Sequence, residues 1–456
     1  MHEPNNPKTA LIISTLASFS TPFMASALNV ALPSLAKDFQ LDTISLSWVA
    51  TAYLLSAATF LIPFGRLSDI HGRKKIFLMG VSVYSLFSLL IPFSVSGFVL
   101  IVLRAMQGIG AAMIFSTGMA ILISVTPPTR RGRVLGINVA AVYLGLSLGP
   151  FLGGFLIQYI GWASIFYLNV CLGIFIIILT TKKLRGEWAE AKGDPFDIIG
   201  SLFFTIAFVL LLFGFSKITE HSGIFAVIVG FISLVFFILW EEKVSHPILN
   251  IRLFTNNAVF AFSNAAALIN YSTTGAVTFL LSLYLQYIRG LSPQTTGMIL
   301  VVQPIFMMVV SPIAGRLSDR IEPRIIASLG MALTVIGLFL FIPIGNDSSL
   351  VYFVLNLVFL GIGFGLFSSP NTNAVMSSVS KEIYGVASAT LGTMRLTGQM
   401  LSMGIVMLIF SLSVGRIKIT PEYYPQLLSS MRLSFIVFAS FCIIGVFASL
   451  ARGRVR

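Results

Sequence analysis

Charged residues in this sequence are concentrated in one short stretch, GRLSDIHGRKK at positions 65–75. Its first five letters return unchanged at 315–319, and this internal repeat suggests two related halves. An aspartate at a helix–loop junction accepts bonds from backbone N–H groups and pairs with a nearby arginine. We therefore predict a contact between helix ends, able to open and close, in which Asp69 works with Arg73 and, as a second candidate, Arg133. The residues assigned to this contact and its repeat are Gly65, Asp69, Gly72, Arg73, Arg133, Gly315 and Asp319.

The composition places these charges in a membrane protein. Of 456 residues, 56% are hydrophobic and 10% are charged, and the mean hydropathy of +0.95 is too high for a soluble globule. A net charge of +13 would suggest nucleic-acid binding in a soluble protein, but here the basic residues lie in short loops. We therefore expect the lipid bilayer as a partner and no nucleic acid.

Apolar runs of about 20 residues, the length that crosses a bilayer, predict fourteen transmembrane helices. The runs lie near 10–35, 46–65, 76–96, 98–123, 134–159, 163–181, 198–216, 223–240, 258–287, 296–315, 325–344, 350–370, 384–412 and 432–451. With this topology, 21 of the 29 Lys and Arg residues fall on one side and six on the other. Because basic loops favour the cytoplasm, both termini and both repeated turns are predicted to be cytoplasmic, in a multi-pass protein of the cell membrane.

The predicted spans divide into groups of six, two and six. Residues 1–182 contain one six-helix bundle, residues 183–256 a linker with two additional helices, and residues 257–456 a second six-helix bundle. Parallel repeats of this kind place a substrate site at the midplane between the halves. Since the central pair contains no polar residues other than Ser and Thr, we expect it to face lipid, outside the cavity.

Three motifs resemble signatures of the major facilitator superfamily. The first is the 65–75 stretch, in which Ile70 stands where the family usually has a basic residue. The second is LIVLRAMQGIGAA at 100–112, which places Arg104 inside an apolar run. The third lies in the fifth span, where glycines let a neighbouring helix approach closely and a proline adds a local bend. Its residues are Gly136, Gly145, Gly149, Pro150, Gly153 and Gly154.

The resemblance implies a fold and an activity. Segments 161–170 and 385–398 are similar to the fourteen-span drug:proton antiporter branch of this family. The implied fold is an all-α polytopic membrane protein of two six-helix bundles with two extra central helices. The implied activity is multidrug-type export of small lipophilic molecules by alternating access and proton antiport. We expect a monomer, with no cofactor beyond the ion gradient and no bound metal.

One departure from the family affects coupling. Antiporters of this branch often carry a carboxylate nine residues before a proline in the first span, and here Met24 holds that position before Pro33. The ionisable residues within the predicted spans are Arg104 and Arg395, so a cavity there suits neutral, lipophilic or anionic compounds. Arg104 either faces the interior or reaches for the interface. The remaining candidates for the proton carrier are the substrate itself, Asp38, Asp42, Asp69 and Asp319.

Polar residues within the spans are candidates for the cavity lining, and each of them could instead bond a neighbouring helix. They are Asn29, Asn138, Tyr143, Asn264, Asn270, Tyr271, Gln303, Asn356, Asn371 and Gln399. Two alternatives stay open: a carrier of a neutral or anionic metabolite or lipid with weak or no proton coupling, and a non-transporting receptor on the same fold. An enzyme is not expected, because no carboxylate cluster is present to bind a divalent metal.

Overall fold

The computed structural model describes residues 7–41, 43–216, 220–345, 348–413 and 421–454, and the regular structure in these residues is helical. The α-helices, in chain order, are α1 (Pro7–Asp38), α2 (Thr43–His71), α3 (Arg73–Leu90), α4 (Gly97–Ser124), α5 (Arg131–Tyr159), α6 (Ala163–Lys183), α7 (Ile198–Ser216), α8 (His221–Glu241), α9 (Arg252–Asn256), α10 (Ala258–Thr274), α11 (Val277–Leu283), α12 (Pro293–Leu300), α13 (Val302–Ser318), α14 (Pro323–Leu340), α15 (Leu350–Ser377), α16 (Tyr384–Ser413) and α17 (Tyr424–Ala451). A π-helical turn, Tyr284–Ile288, follows α11.

Fourteen segments of the described chain are long and apolar enough to cross a membrane, which confirms the predicted number. Two of these spans contain more than one α-helix. The span Ala258–Ile288 joins α10, α11 and the π-helical turn, and Gln294–Ser318 joins α12 and α13. The last span differs most from its predicted start, because Arg432 interrupts the apolar run in the sequence. In α17 its guanidinium donates to the Ile344 carbonyl at 3.0 Å, so the helix continues through this position.

The helices pack as two bundles of similar architecture, as predicted. In the first bundle α1 packs against α5, and α2 and α3 pack against α4. In the second bundle α13 and α14 pack against α15, and α10 packs against α16 and α17. The bundles meet along two seams, one between α5 and α13 and the other between α2 and α16. The division of the chain at 1–182, 183–256 and 257–456 remains a prediction.

The glycine motif of α5 serves two different helix contacts. A Cβ on Gly145 would lie 2.5 Å from the Phe19 carbonyl oxygen, and one on Gly149 would lie 2.5 Å from the Ser26 hydroxyl. Gly153 also approaches α1 closely, whereas a Cβ on Gly154 would make only an ordinary contact. Gly136 faces the other bundle, with 2.6 Å between its added Cβ and the Ser311 carbonyl oxygen. Pro150 is exposed within an uninterrupted helix.

The central pair α7–α8 packs on the seam between α2 and α16. Phe204, Phe208 and Leu212 of α7 share an apolar cluster with residues of both seam helices. Near the other end of α7, Phe213 stacks on Trp48 of α2 with ring centroids 5.8 Å apart. The seam is therefore covered on one side by a helix that belongs to neither bundle.

Candidate gate and transport cavity

The two repeated Gly-Arg-Leu-Ser-Asp segments were predicted as turns but form the helical ends of α2 and α13, at one face of the helix bundle that we name the turn face. Asp69, near the end of α2, accepts N–H bonds from Gly385 and Val386 at the start of α16, at 2.9 and 3.0 Å. Arg73 pairs with the same carboxylate at 2.7 Å, and both side chains are fully buried. The first bundle thereby holds the amino-terminal end of a helix of the second bundle through a charge-assisted contact.

The second copy of the turn makes the corresponding contact in the opposite direction. Asp319 accepts N–H bonds from Gly132 and Arg133, at 2.7 and 2.8 Å, at the start of α5. Arg133 thus takes part through its backbone opposite Asp319, and its work with Asp69 stays a prediction. The position equivalent to Arg73 is Pro323, so this arginine is specific to the first copy.

Glycines allow the backbones to meet at both contacts. A Cβ on Gly132 would lie 2.2 Å from the Gly315 carbonyl oxygen, and the reverse distance is also 2.2 Å. At the other seam, a Cβ on Gly385 would lie 2.5 Å from the Gly65 carbonyl oxygen. Real Cβ atoms do not approach other atoms this closely. Glycine is therefore required at positions 65, 132, 315 and 385. Gly132 and Gly385 were not assigned to the gate from the sequence, because their partners lie far away along the chain.

Gly315→Ala is expected to weaken closure of the turn face and to slow transport a few-fold. The added methyl group meets a backbone oxygen that cannot rotate away, and such overpacking costs about 1–3 kcal/mol. The measurement is the transport rate of purified protein in liposomes, together with labelling of a cysteine placed at the seam. Gly297→Ala is the matched control, because an added Cβ there meets nothing within 4 Å. Equal rates for both variants would contradict the prediction.

Tyr384 joins the two contacts into one polar cluster. Arg131, at the start of α5, donates to the Tyr384 hydroxyl at 2.6 Å. The guanidinium groups of Arg73 and Arg131 lie 5.4 and 5.5 Å from the centre of the Tyr384 ring. Arg73 also donates to the carbonyl of Lys381, just before α16. Opening either seam at the turn face therefore disturbs the contacts of the other.

Arg104 faces the interior of the first bundle and does not reach for the interface. It is 1% exposed, its Nε donates to the Val49 carbonyl at 3.0 Å, and its Cζ lies 4.5 Å from the centre of the Tyr53 ring. Another guanidinium N–H donates to Gln107, whose amide donates to Ser88 at 2.7 Å. Asn169 also donates to Ser88, at 3.1 Å. These bonds connect α2, α3, α4 and α6 through one polar chain.

Arg395 is the centre of a second polar group, midway along α16. Its guanidinium lies 5.1 Å from the centre of the Tyr271 ring, and the Tyr271 hydroxyl lies 3.2 Å from Ser368 Oγ. Tyr143, from α5 in the other bundle, approaches the same group. Arg395 Nε is buried and makes no hydrogen bond within the described part of the chain. The structure thus brings three of the predicted residues together across the two bundles.

A cavity of about 490 Å³ lies in the half of the membrane away from the turn face. Its wall comes from α1, α2, α7, α16 and the turn that follows α10, and it combines apolar, thioether and amide side chains. The lining residues are Asn29, Thr51, Leu54, Leu212, Phe215, Gly275, Leu396, Gln399, Met400, Met403, Gly404 and Met407. Leu212 and Phe215 belong to α7, so the expectation that the central pair lies outside the cavity is wrong. The apolar composition of α7 also suits a cavity wall, which composition alone cannot distinguish from a lipid-facing surface.

Comparison with known proteins decides the family. The family model of the Major Facilitator Superfamily matches residues 14–403 and 260–455. The chain belongs to the major facilitator superfamily. The riboflavin transporter RibZ of Clostridioides difficile is 30% identical over 96% of this chain and 95% of its own length. The cephamycin export protein CmcT of Amycolatopsis lactamdurans is 31% identical over 88% and 84%, and the multidrug resistance protein Stp of Mycobacterium tuberculosis is 29% identical over 87% and 74%.

A solved structure of the same superfamily confirms the fold. The human organic anion transporter MFSD10 superposes with a TM-score of 0.73 at 14% identity, covering 98% of this chain and 100% of that chain. The proton:xylose symporter XylE gives a TM-score of 0.68 at 12% identity. The fold and the predicted superfamily membership are confirmed, and the relatives support the predicted branch of multidrug exporters.

The proton-carrier candidates of this facilitator have different surroundings. Asp38 is exposed beyond the cavity and accepts a bond from the Trp162 indole at 2.7 Å. Asp69 and Asp319 form the gate contacts, and Asp42 lies outside the described residues. Met24, at the position where relatives often carry a carboxylate, is fully buried. None of the twelve lining residues of the cavity is acidic.

Most of the predicted polar residues are buried in helix contacts of the facilitator. Asn29 and Gln399 line the cavity, whereas Asn264 donates to Phe260, Asn356 to Gly337 and Asn371 to Ser263. Three further predicted residues are buried but do not line the cavity: Asn138, Asn270 and Gln303. Arg452, which the sequence analysis treated only as a topology signal, is fully buried and donates to Asn371 Oδ1 at 3.0 Å.

The segment after α6 folds over the first turn. The Glu187 carboxylate accepts N–H bonds from Lys74 and Lys75, at 2.7 and 3.1 Å, at the start of α3. Asp194 pairs with Arg66 at 2.7 Å, and His246 Nδ1 lies 3.5 Å from its other oxygen. Partial burial opposes ionisation of Asp194, but the hydrogen bond and charge of Arg66, with a smaller effect of His246, lower the pKa of the Asp194 carboxyl.

Asp194→Asn is expected to lower stability by less than about 1 kcal/mol above pH 5, since the pair is partly exposed. The lowered pKa of Asp194 means that its contribution is present above the ordinary value of about 3.9 and is lost as pH falls through the lower folded-state value. Melting temperatures of wild type and variant between pH 7 and pH 3 test this. The two curves should converge at the acidic end, and a difference that grows on acidification would contradict the prediction.

Proposed function

We propose that this protein is a secondary-active exporter of small lipophilic or anionic compounds that works by alternating access. The observation that carries the proposal is a cavity of about 490 Å³ in one half of the membrane, opposite a turn face at which the two bundles are bonded together. A carrier needs a site that is accessible from one side while the other side is closed. Relatives named as a multidrug resistance protein and an export protein support export.

We infer that the turn face is cytoplasmic. Arg66, Lys74 and Lys75 lie there with the basic start of α5, and short basic loops favour the cytoplasmic side. The described state then faces outward, with the cavity on the side at which an exporter releases its substrate. One chain supplies both bundles and the whole cavity wall, so the proposed transporting unit is a monomer in the cell membrane.

The lining indicates the substrate class. Met400, Met403 and Met407 present flexible, polarisable thioethers that adapt to different ring systems. Asn29 and Gln399 supply hydrogen bonds to polar substituents. The wall has no carboxylate to bind a cation, and Arg395 lies on the same helix next to the lining residue Leu396. Neutral or anionic ring compounds therefore fit the cavity better than cationic drugs.

Proton antiport is the proposed energy source, and Asp69 is the proposed carrier at the turn face. A proton on Asp69 would remove its ion pair with Arg73 and weaken two backbone bonds to α16. A proton that reaches Asp69 from the outer side would then favour opening toward the cytoplasm, and release of that proton into the cytoplasm would let the turn face close again. Because Met24 replaces the usual carboxylate, a carrier without proton coupling is the second candidate, and it would move substrate only down its own gradient.

Transport by purified protein in liposomes tests the proposal. The panel contains riboflavin, neutral lipophilic dyes and their carboxylated analogues, with and without an imposed pH gradient. Concentrative transport that requires the pH gradient supports antiport, whereas movement that only equilibrates the compound supports the uncoupled carrier. Absence of movement for every panel member, with specific binding retained, would support the receptor alternative instead.

Arg395→Gln is expected to separate anionic from neutral substrates. Loss of a partly desolvated charge should raise the KM for a carboxylated dye about tenfold, as expected for about 1.4 kcal/mol of lost charge-assisted binding. The KM for the uncharged analogue should change less than about twofold on the same scale. Arg395→Lys keeps the charge and is the matched control. Equal changes for both dyes would show that Arg395 does not select for negative charge.

A further inference from the structure

Two carboxyl groups meet where the central helix pair reaches the turn face. Asp197 directly precedes α7, and Glu241 is the last residue of α8. A Cβ on Gly200 would lie 2.3 Å from Asp197 Oδ2 and also 2.3 Å from Glu241 Oε1, so both oxygens border the same small space. Since each oxygen is 2.3 Å from the same point, the two oxygens lie no more than twice this distance, 4.6 Å, apart. Each residue stands at the end of an apolar run, and the sequence analysis therefore did not connect them.

The Glu241 side chain is buried without a cationic partner. The residue is 3% exposed, and its Oε1 has no hydrogen-bond partner among the described residues. Its Oε2 accepts the Leu249 N–H at 3.0 Å. Asp197 accepts bonds from the Trp240 indole and the Gly200 N–H, both at 3.0 Å. All of these donors are neutral, so two negative charges here would face each other without compensation.

Other charged groups of this part of the turn face are engaged elsewhere or exposed to solvent. Arg66 of α2 is paired with Asp194, and His246 contacts the same carboxylate. Glu242 and Lys243, which follow Glu241, are exposed. Two carboxylates in one water-poor space cannot both ionise at low cost, and one proton allows the first group to donate to the second. Such a proton belongs to the pair and not to either residue alone.

The Leu249 bond connects this pair to the gate. Ile248 and Leu249, in the linker after α8, are buried in the apolar cluster that contains Leu61 and Ile62 of α2 and Val386 of α16. Val386 is also a backbone donor to Asp69. Residues 248–249 thus cover the outer surface of the seam between α2 and α16 at the turn face. They must move, at least in part, when this seam opens.

We propose that Asp197 and Glu241 bind one proton between them and that this proton keeps residues 248–249 docked on the seam between α2 and α16. With the proton present, Glu241 donates to Asp197 from Oε1 and still accepts the Leu249 N–H at Oε2. Loss of the proton places two carboxylates against each other, and Glu241 turns away and releases Leu249. The site is separate from the substrate cavity, so the proposal does not depend on which compound is transported.

Thermal unfolding as a function of pH tests proton binding. Glu241→Gln replaces the bound proton by an amide that donates to Asp197 at every pH and keeps an acceptor for Leu249. From pH 6 to pH 9 the wild type should lose about 1–3 °C relative to this variant, the size expected when a buried interaction is lost in a chain of this length. Glu242→Gln, a neighbouring exposed carboxylate, should follow the wild type. Parallel curves for wild type and Glu241→Gln would overturn the proposal.

Cysteine labelling tests the effect on the linker. In a background with Cys171→Ser and Cys442→Ser, the labelling rate of Leu249→Cys is divided by that of the exposed Asn250→Cys, which cancels the ordinary pH dependence of thiols. This ratio should rise several-fold from pH 6 to pH 9 and stay low when Glu241→Gln is added. If Glu241→Gln does not fold, Asp197→Asn serves the same purpose, because its amide donates to Glu241. A pH-independent ratio in the wild-type background would contradict the linker role.

Discussion

Asp69→Asn is expected to reduce the transport rate at least about tenfold while the protein still folds and reaches the membrane. The substitution keeps the size of the side chain but removes the charge that compensates fully buried Arg73. Removal of one partner from a buried ion pair costs about 3–5 kcal/mol, and about 1.4 kcal/mol corresponds to a factor of ten in an equilibrium. The state in which the turn face is closed therefore becomes rare, and the carrier cannot complete its cycle.

The measurement pairs transport with a local reporter of the seam. Ser388 of α16 is 2% exposed and donates to the Phe115 carbonyl of α4 at 3.0 Å, so a cysteine there is protected while the seam is closed. In Asp69→Asn, the labelling of Ser388→Cys by a membrane-impermeant maleimide should increase, in parallel with the loss of transport. Wild-type transport with unchanged labelling would exclude a gating role for Asp69.

A double substitution distinguishes the ion pair from a general loss of structure. In Asp69→Asn/Arg73→Gln neither charge remains, so the penalty for an uncompensated buried cation disappears. Transport should recover in part relative to Asp69→Asn alone. Asp319→Asn is the internal comparison, because Pro323 stands where the first copy has Arg73. Its effect should be smaller than that of Asp69→Asn, since position 323 carries no charge in this copy.

The number and approximate positions of the spans could be predicted from the sequence because a span requires a long apolar run, which is a local property of the chain. Contacts across the two bundles could not be predicted in this way. Asp69 and its donor Gly385 are 316 positions apart, and the pattern indicates a helix end without indicating which helix it meets. The repeat at 315–319 did predict that Asp319 is the counterpart of Asp69, because the two halves share one architecture.

Burial of charged groups was the least predictable feature. Arg432 interrupts an apolar run but donates to the Ile344 carbonyl. Arg452 follows the last apolar run in the sequence, where a basic residue normally reaches water, but it is fully buried. Glu241 stands at a span end, where a carboxylate normally reaches water, yet the linker after α8 covers it. In each case the outcome depends on a carbonyl, amide or backbone N–H supplied by another part of the chain.

Replacement of Arg104 is expected to have the second large effect on the transport rate, because the bonds of this residue connect several helices of the first bundle. Arg104→Leu leaves the buried Gln107 amide oxygen without its donor and removes the side-chain bond to the Val49 carbonyl, which keeps its helical bond within α2. Each unsatisfied buried group costs about 1–3 kcal/mol. We expect the transport rate to fall at least about tenfold on this basis, with a lower melting temperature.

Arg104→Lys separates the charge of this residue from its geometry. A lysine keeps the positive charge near the Tyr53 ring, but its single ammonium group cannot reproduce the planar arrangement that bonds Val49 and Gln107 together. If the bonds between helices are what matters, Arg104→Lys should lose nearly as much transport as Arg104→Leu, while the substrate Kd changes less than about twofold on the usual affinity scale. Arg104 does not line the cavity, so a large change in Kd would show instead that the substrate reaches this arginine. Full activity of Arg104→Lys would show that charge alone is sufficient and that the polar chain through Gln107, Ser88 and Asn169 is not required for the conformational cycle.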